Sequence, residues 1–366
     1  MTSSSGNRGI LIPVFFRAPH GGLHAHVADQ VTFAQMSGLT PIVVSPPGPW
    51  AQSMAARTRV ITDDFSDIDA LADRVRDEPF ELIHAHPGKA RMLAFALTAT
   101  RQVPLVVTYH GPRPETLTAA DPLVDIAVVV SDFTRRYVLR KTDIQPGKLW
   151  VIPNAIDTDS FHPPSQREPT QGLPSVLIAT RLDPDKEFVT SIVSECLHLA
   201  SEDAQWHDVN WRICGDGAAR DTIHNACEHL NAKIGRQAAT MLGWCSPDQL
   251  AAEMRSADVV MAPGRSALEG IASGVPTVAL GSKGYVGFLA GDGLLTGLDC
   301  NFGGGGIGRA NYPPGQALAD IKVAMSRRDD AQLQAAYTAI AHSRTMRNIA
   351  HQHQLVWDLA GSLHHR

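Results

Sequence analysis

The chain has 366 residues, more than one domain of ordinary size holds and a length that suits two; 44% are hydrophobic and 19% charged, the balance of a water-soluble globular protein. A formal net charge of −5 and a pI near 6.3 argue against broad attraction to nucleic acid or anionic lipid, which needs clustered positive charge. No apolar run approaches the roughly 20 residues of a membrane span, the polar first residues lack the apolar stretch of a secretory signal, and Cys196, Cys214, Cys227, Cys245 and Cys300 are odd in number with no Cys-x-x-Cys pair, so a reduced, cytoplasmic setting is expected.

From the N-terminus, ILIPVFF reads as a buried strand and RAPHGGLHAHVADQVTFAQMSG as a glycine turn feeding an amphipathic helix that Gly38 closes. PIVVSPP, RVITDDF, ELIHAH, PLVVTYHG, DIAVVVS and LWVIPNAID follow as strands, with helices over DIDALADRVRDE, KARMLAFALTATRQ and DFTRRYVLRK. Strands alternating with helices at this spacing predict a parallel sheet covered on both faces. Residues 161–174, FHPPSQREPTQGLP, are proline-rich, polar and aperiodic, and read as a linker. The pattern then restarts with SVLIATRL, a helix from about Lys186, WRICGDG, a helix through Asn231, TMLGWC, a helix from Pro247, a strand over residues 259–261, and TVALGSKGY. The patch from Asn301 to Gly306 reads as a mobile loop, or less readily a ligand lid, and lacks the Lys-Ser/Thr of a phosphate loop. From Asp330 onward the spacing is helical.

The stretch DVVMAPGRSALEGIASGVP, residues 258–276, carries the densest signal. Pro263 and Gly264 break a short strand, Ser266 suits an N-cap, and a helix beginning at Ala267-Leu268-Glu269 stops at Ser273-Gly274. A strand feeding a glycine turn and a helix N-terminus presents backbone N–H groups that can hold phosphate. Glu269, the only carboxylate there, suits a pair of ribose hydroxyls, or is a plain surface residue. Arg181 and Lys186, five residues apart after the second domain's first strand, suit a diphosphate; the alternative is ion pairing with Asp183 or Asp185. Gly21-Gly22 would let backbone approach a diphosphate, or form an ordinary helix entry, and the G-x-G at Gly215 is a weak nucleotide signal. His84-x-His86 and His20-x-x-x-His24 have spacings a metal could use, but no carboxylate or cysteine completes either set, so no metal is expected. His110 stands at a strand mouth. Arg135, Arg136, Arg140 and Lys141 form a solvated helix face or, less readily, a contact for an anionic acceptor or a membrane.

Taken together, the chain resembles a retaining glycosyltransferase of the GT-B fold, family 4 type. GG after the first strand, ELIHAH, VVTYHG, VVVSDF, WVIPNAIDTDSF, TRLDPDK, ICGDG, LGW and ALEGIASGVP stand in that family's order. The resemblance implies two Rossmann-like domains facing each other across a cleft: residues 1–165 for the acceptor, with a last helix of about 345–366 packed back on them, and 166–344 for the donor. It implies that Arg181 and Lys186 hold the donor diphosphate, that Glu269 binds the ribose, that His110 and Gly22 face the transferred sugar, and that Gly21, Gly215, Trp244, Gly264, Arg265, Ser266, Ala267 and Leu268 line the donor site. The implied reaction moves a sugar from a nucleotide diphosphate to a hydroxyl of a small-molecule, glycan or lipid-linked acceptor with retained configuration. It needs no cofactor and survives chelation, and at most a weak peripheral membrane contact accompanies it. A nucleotide-sugar epimerase or hydrolase, or a binding protein without chemistry, is the alternative. Three positions depart from the family pattern: Met261 stands where a sugar-contacting glutamate is usual, eight residues before Glu269; the following loop is shortened to PGRSA; and Glu187 replaces a glycine. Residues 264–268 are expected to take over part of the lost acid's role.

Overall fold

Seven short strands rich in valine and isoleucine form the first sheet: β1 (Gly9–Pro13), β2 (Thr40–Ser45), β3 (Arg59–Thr62), β4 (Leu82–Ala85), β5 (Leu105–Tyr109), β6 (Ile126–Val129) and β7 (Leu149–Val151). The computed structural model describes residues 8–15, 21–111, 121–164 and 172–364; His20 and residues 165–171 of the expected linker lie outside them. The strands are all parallel, in the order β3-β2-β1-β4-β5-β6-β7. Their side chains alternate between two cores, as the pleat requires. Leu11 and Val107 join the layer built with α3 (Ile68–Val75) and α4 (Lys89–Arg101). Ile10, Ile12 and Val106 join the layer built with α1 (Gly22–Met36) and α13 (Met346–His364). The remaining helices of this unit are α2 (Pro49–Ala55) and α5 (Asp132–Lys141), the latter capped by Ser131 Oγ accepting from Thr134 N–H at 3.2 Å.

The buried face of α1 is wider than an amphipathic helix on a sheet alone requires: it takes in His24, His26 and Gln30 along with Val27, Val31 and Phe33, because α13 packs on it as well. A helix packed on by both the sheet and a second helix keeps a narrow solvent stripe, here Asp29, Thr32 and Met36, and the polar groups it buries must find partners inside.

The second unit repeats the plan with six strands in the order β10-β9-β8-β11-β12-β13. These are β8 (Ser175–Ala179), β9 (Asn210–Cys214), β10 (Ala239–Gly243), β11 (Val259–Ala262), β12 (Thr277–Gly281) and β13 (Gly284–Phe288). Its helices are α6 (Glu187–Glu202), α7 (Arg220–Ile234), α8 (Pro247–Ser256), α9 (Gly264–Ala272), α10 (Asp292–Asp299), α11 (Gln316–Ser326) and α12 (Ala331–Ser343). TVALGSKGY, read as a single strand, is a hairpin: β12 and β13 pair antiparallel around Ser282 and Lys283. The glycine patch after α10 is packed, not a mobile loop. Phe302 is fully buried, and a Cβ on Gly304 would sit 1.9 Å from the Gly284 carbonyl oxygen, so backbone packs on backbone there and glycine is required.

The chain divides into residues 1–155 with 346–366, and residues 156–345. The first division falls ten residues earlier than the expected 165, because Ile156 and Phe161 are core residues of the second unit and Ile156 N–H donates to Arg344 O at 2.7 Å. Among the described residues no helix is long and apolar enough to cross a membrane.

Candidate functional site

In each sheet the chain order reverses once, between β1 and β4 in the first and between β8 and β11 in the second. At such a switch point the loops leaving two adjacent parallel strands diverge and open a crevice at the strands' carboxyl ends. In the second unit these are the loop of Arg181 to Lys186 after β8 and the turn at Pro263 and Gly264 after β11. The registers Val260 to Leu177 and Met261 to Ile178 bring the two strand ends level.

Arg181 is held within its own loop. One guanidinium nitrogen pairs with Asp183, and the other lies 3.0 Å from an Asp185 oxygen. Lys186, at the end of a single 3-10 turn over residues 184–186, donates to Ser282 Oγ at 2.7 Å and has Asp185 at 3.5 Å. Burial pushes the Lys186 ammonium below its ordinary pKa; Asp185 opposes that shift, while Arg181 and Lys283 add to it. Three cations therefore converge here, and Lys283, in the β12–β13 turn, escaped the sequence reading. Its only signal was the Gly-Ser-Lys-Gly run after a strand. The expected ion pairs of Arg181 and the expected diphosphate clamp are compatible, since a carboxylate on a guanidinium occupies the place a phosphate oxygen would take.

The Gly215–Gly217 turn after β9 braces this loop. A Cβ on Gly215 would lie 1.9 Å from Thr180 O, one on Gly217 2.6 Å from the Leu182 carbonyl carbon, and Leu182 N–H donates to Asp216 O at 2.9 Å. Gly215 N–H in turn donates to Gly243 O at 2.7 Å, next to Trp244, whose ring is 49% exposed at the same end of the sheet.

After β11 the helix starts earlier than expected: Pro263, not Ser266, is the N-cap residue of α9, and Gly264 adopts φ +53°, which favours glycine. Gly264 N–H donates to Phe302 O at 3.0 Å, so the packed glycine patch fixes the turn. Arg265 Nε donates to Glu269 Oε1 at 2.9 Å one turn along, and Glu269 is only 8% exposed, which is not the plain surface residue of the alternative reading. The Ala267 and Leu268 side chains are fully buried in the core and face no ligand; their backbone N–H groups, with that of Ser266, are what the helix start presents. Met261 is also fully buried, inside β11. Counting back eight residues from Glu269 lands in the core because the loop is short, so that spacing does not locate a sugar-contacting position in this chain.

In the first unit Gly21 is the N-cap of α1 with φ +152°, and a Cβ on Gly22 would meet nothing within 4 Å. His110, after β5, is partly buried, with Nε2 2.9 Å from His86 Nδ1. His86 Nε2 lies 2.7 Å from Gln30 Oε1, and the Trp357 indole donates to His84 Nδ1 at 2.8 Å. Burial holds the His84, His86 and His110 rings well below the ordinary histidine pKa, and the neighbouring imidazoles add to the effect, so all three are neutral near pH 7. His26, His86 and His110 each bring one nitrogen within 4.8 Å of the others. The sequence reading passed over this grouping because the three come from α1, β4 and β5, and no local spacing joins them. On α5, Arg136, Arg140 and Lys141 are exposed and Arg135 partly so, a solvated face.

Residues 20–160 match the family model described as Glycosyltransferase Family 4. The glycosyltransferase of Rickettsia africae ESF-5 superposes with a TM-score of 0.71 at 15% identity, covering 97% of this chain and 98% of that one. Anabaena Alr3699/HepE, solved in complex with UDP and glucose, gives 0.69 at 18% identity, covering 96% and 100%. The chain has the GT-B fold, and residues 20–160 are similar to glycosyltransferase family 4. A stretch of 159 residues is also 23% identical to a phosphatidylinositol N-acetylglucosaminyltransferase subunit from Arabidopsis thaliana; it covers 39% of this chain and 34% of that protein, so the match spans about a third of the relative's length.

Proposed function

We propose that this GT-B chain transfers a sugar from a nucleotide diphosphate donor to an acceptor hydroxyl, with the anomeric configuration retained. The observation that carries the reading is the convergence, at one switch point, of Arg181, Lys186 and Lys283 with a helix N-terminus and Glu269. As the sugar leaves, the bond from its anomeric carbon to the diphosphate breaks and negative charge grows on the leaving oxygens, where fixed cations stabilise it most. The acceptor oxygen bonds to the same face of that carbon, and its proton passes to the departing phosphate oxygen, so no protein nucleophile is needed. Donor binding exchanges Asp183 and Asp185 for phosphate on Arg181. Glu269, oriented by Arg265, takes the ribose hydroxyls. His110 and Gly22 face the transferred sugar, and the first unit binds the acceptor.

Fixed cations neutralise the diphosphate here, so transfer requires no added Mg²⁺ or Mn²⁺. Five free thiols suit a reducing, cytoplasmic compartment. The UDP held by Anabaena Alr3699/HepE makes a uridine nucleotide the first donor to try, and the name of the Arabidopsis relative makes a lipid-linked acceptor one of those to test.

The test is a thermal-shift panel of nucleoside diphosphates, in which a ligand at 100 times its Kd adds about 2.7 kcal/mol of stability. Turnover of the matching sugar donors is then followed with and without acceptor and divalent ion. Release of nucleoside diphosphate that depends on acceptor supports transfer. Equal release without acceptor points to a hydrolase, an absolute need for added divalent ion removes the metal-free clamp, and no stabilisation by any nucleoside diphosphate overturns the donor site.

A further inference from the structure

We propose a metal site in the first unit: His26, His86 and His110 form a three-nitrogen seat for one divalent transition ion of the zinc class. The three rings come from α1, the end of β4 and the end of β5, and their ring centroids lie 4.5 to 5.7 Å apart. Two imidazole nitrogens on one tetrahedral zinc stand about 3.3 Å apart, given zinc–nitrogen bonds of roughly 2.0–2.1 Å. His86 Nδ1 and His110 Nε2 are 2.9 Å apart and share one proton, so an ion can take that proton's place after a slight opening.

The surrounding groups set the rings for this. His26 Nδ1 lies 3.2 Å from Asn154 Oδ1, and His86 Nε2 lies 2.7 Å from Gln30 Oε1. An amide oxygen can only accept, so with the Asn154 and Gln30 amides turned this way each ring donates from that nitrogen and its lone pair falls on the other, His26 Nε2 and His86 Nδ1. Ligating histidines are ordinarily held in this way, the non-ligating N–H bonded to a carbonyl or carboxylate oxygen. Gln30 is itself wedged against His84, which the Trp357 indole anchors. A set of imidazoles without carboxylate selects zinc, cobalt, nickel or copper over magnesium and calcium, which require oxygen ligands. Three protein ligands leave a fourth position open, and His110, the one member with surface exposure, is on the side of entry. Ligation through Nε2 moves the proton that His110 Nε2 donates to His86 Nδ1 onto Nδ1 of the same His110 ring, the other neutral tautomer. The site shares only His110 with the donor reading and stands on the geometry of the first unit alone.

The experiment uses the untagged full chain, stripped of metal and titrated with Co²⁺ while visible absorption is followed, then with Zn²⁺ in competition. One equivalent of Co²⁺ with the intense bands of a four-coordinate ion, displaced by Zn²⁺, is expected. His26→Gln and His86→Gln should each abolish the signal in a chain whose circular dichroism is unchanged, and Asn154→Ala should weaken binding about 10–100-fold. Cys245→Ser, which removes the thiol beside Cys214, should leave it intact. A folded wild-type chain that takes up no equivalent of Co²⁺, or uptake that survives both histidine changes and is lost in Cys245→Ser, overturns the site. Should both histidine variants fail to fold, an Asn154→Ala chain with unaltered affinity overturns it.

Discussion

The two units share one architecture and bury different kinds of polarity inside it. The first holds His84, His86 and His353 as neutral rings against Gln30, Thr108 and Trp357. The second buries two carboxylates, each against an arginine: Asp258 with Arg328 and Glu269 with Arg265. A neutral imidazole costs little to bury but resists protonation; a buried ion pair is tolerated only while both partners stay.

The comparison breaks most visibly at Asp258, which also accepts from Ser175 N–H at 2.7 Å and so ties β8 to β11. Arg328→Leu removes the cation from that buried carboxylate, and should lower stability by about 3–5 kcal/mol. Urea unfolding would show it, and adding Asp258→Asn should recover part of the loss. A single change with no effect on the midpoint would mean the pair is solvated.

Next in size are the cations gathered after β8 in the second unit. Arg181→Ala and Lys186→Ala should each remove roughly 2–4 kcal/mol of transition-state stabilisation, about 30- to 1000-fold in kcat/KM, while the unfolding midpoint barely moves. Turnover within threefold of wild type in a folded variant would take the clamp away from these residues. Glu269→Gln should act at the other end of the nucleotide. It weakens donor binding by about 1.5–3 kcal/mol through lost charge-assisted hydrogen bonds, an effect to be read in nucleotide affinity rather than in kcat.

The smallest effect tests the first unit's side of the comparison. Burial pushes the His353 pKa down to about 3, and its ring stacks on Phe33. The unfolded imidazole, with an ordinary pKa near 6.5, takes up a proton first as pH falls, so stability is complete above about 6.5 and declines from there towards the folded pKa. By pH 5 this one ring costs about 2 kcal/mol. Hydrogen exchange on the metal-stripped chain should therefore show peptides of β4 and α13 losing protection between pH 6.5 and 5 before those of β11 and α9, and His353→Phe should reduce the difference. Simultaneous loss in both units would show that the buried imidazoles do not set acid stability.

Much of this was legible in the sequence because it is local. Valine- and isoleucine-rich runs bounded by turns mark parallel strands wherever both faces are covered, and the restart of the pattern at Ser175 marks a second unit. Arg181, Lys186 and Glu269 could be singled out because each follows a strand end at short range. Tertiary structure decided what depends on residues far apart in the chain. α13 packs on α1 and so widens its buried face to take in His24, His26 and Gln30. The glycine patch packs on β13 and fixes Gly264, although the same glycines read as a mobile loop when no neighbour is known. Met261 falls in the core because the length of a loop, not a count of residues, sets what faces a ligand. His26, His86 and His110 meet only through the pairing of β1, β4 and β5 with α1 packed above them. A pairwise spacing along the chain carries no information about three side chains that a sheet brings together from the side.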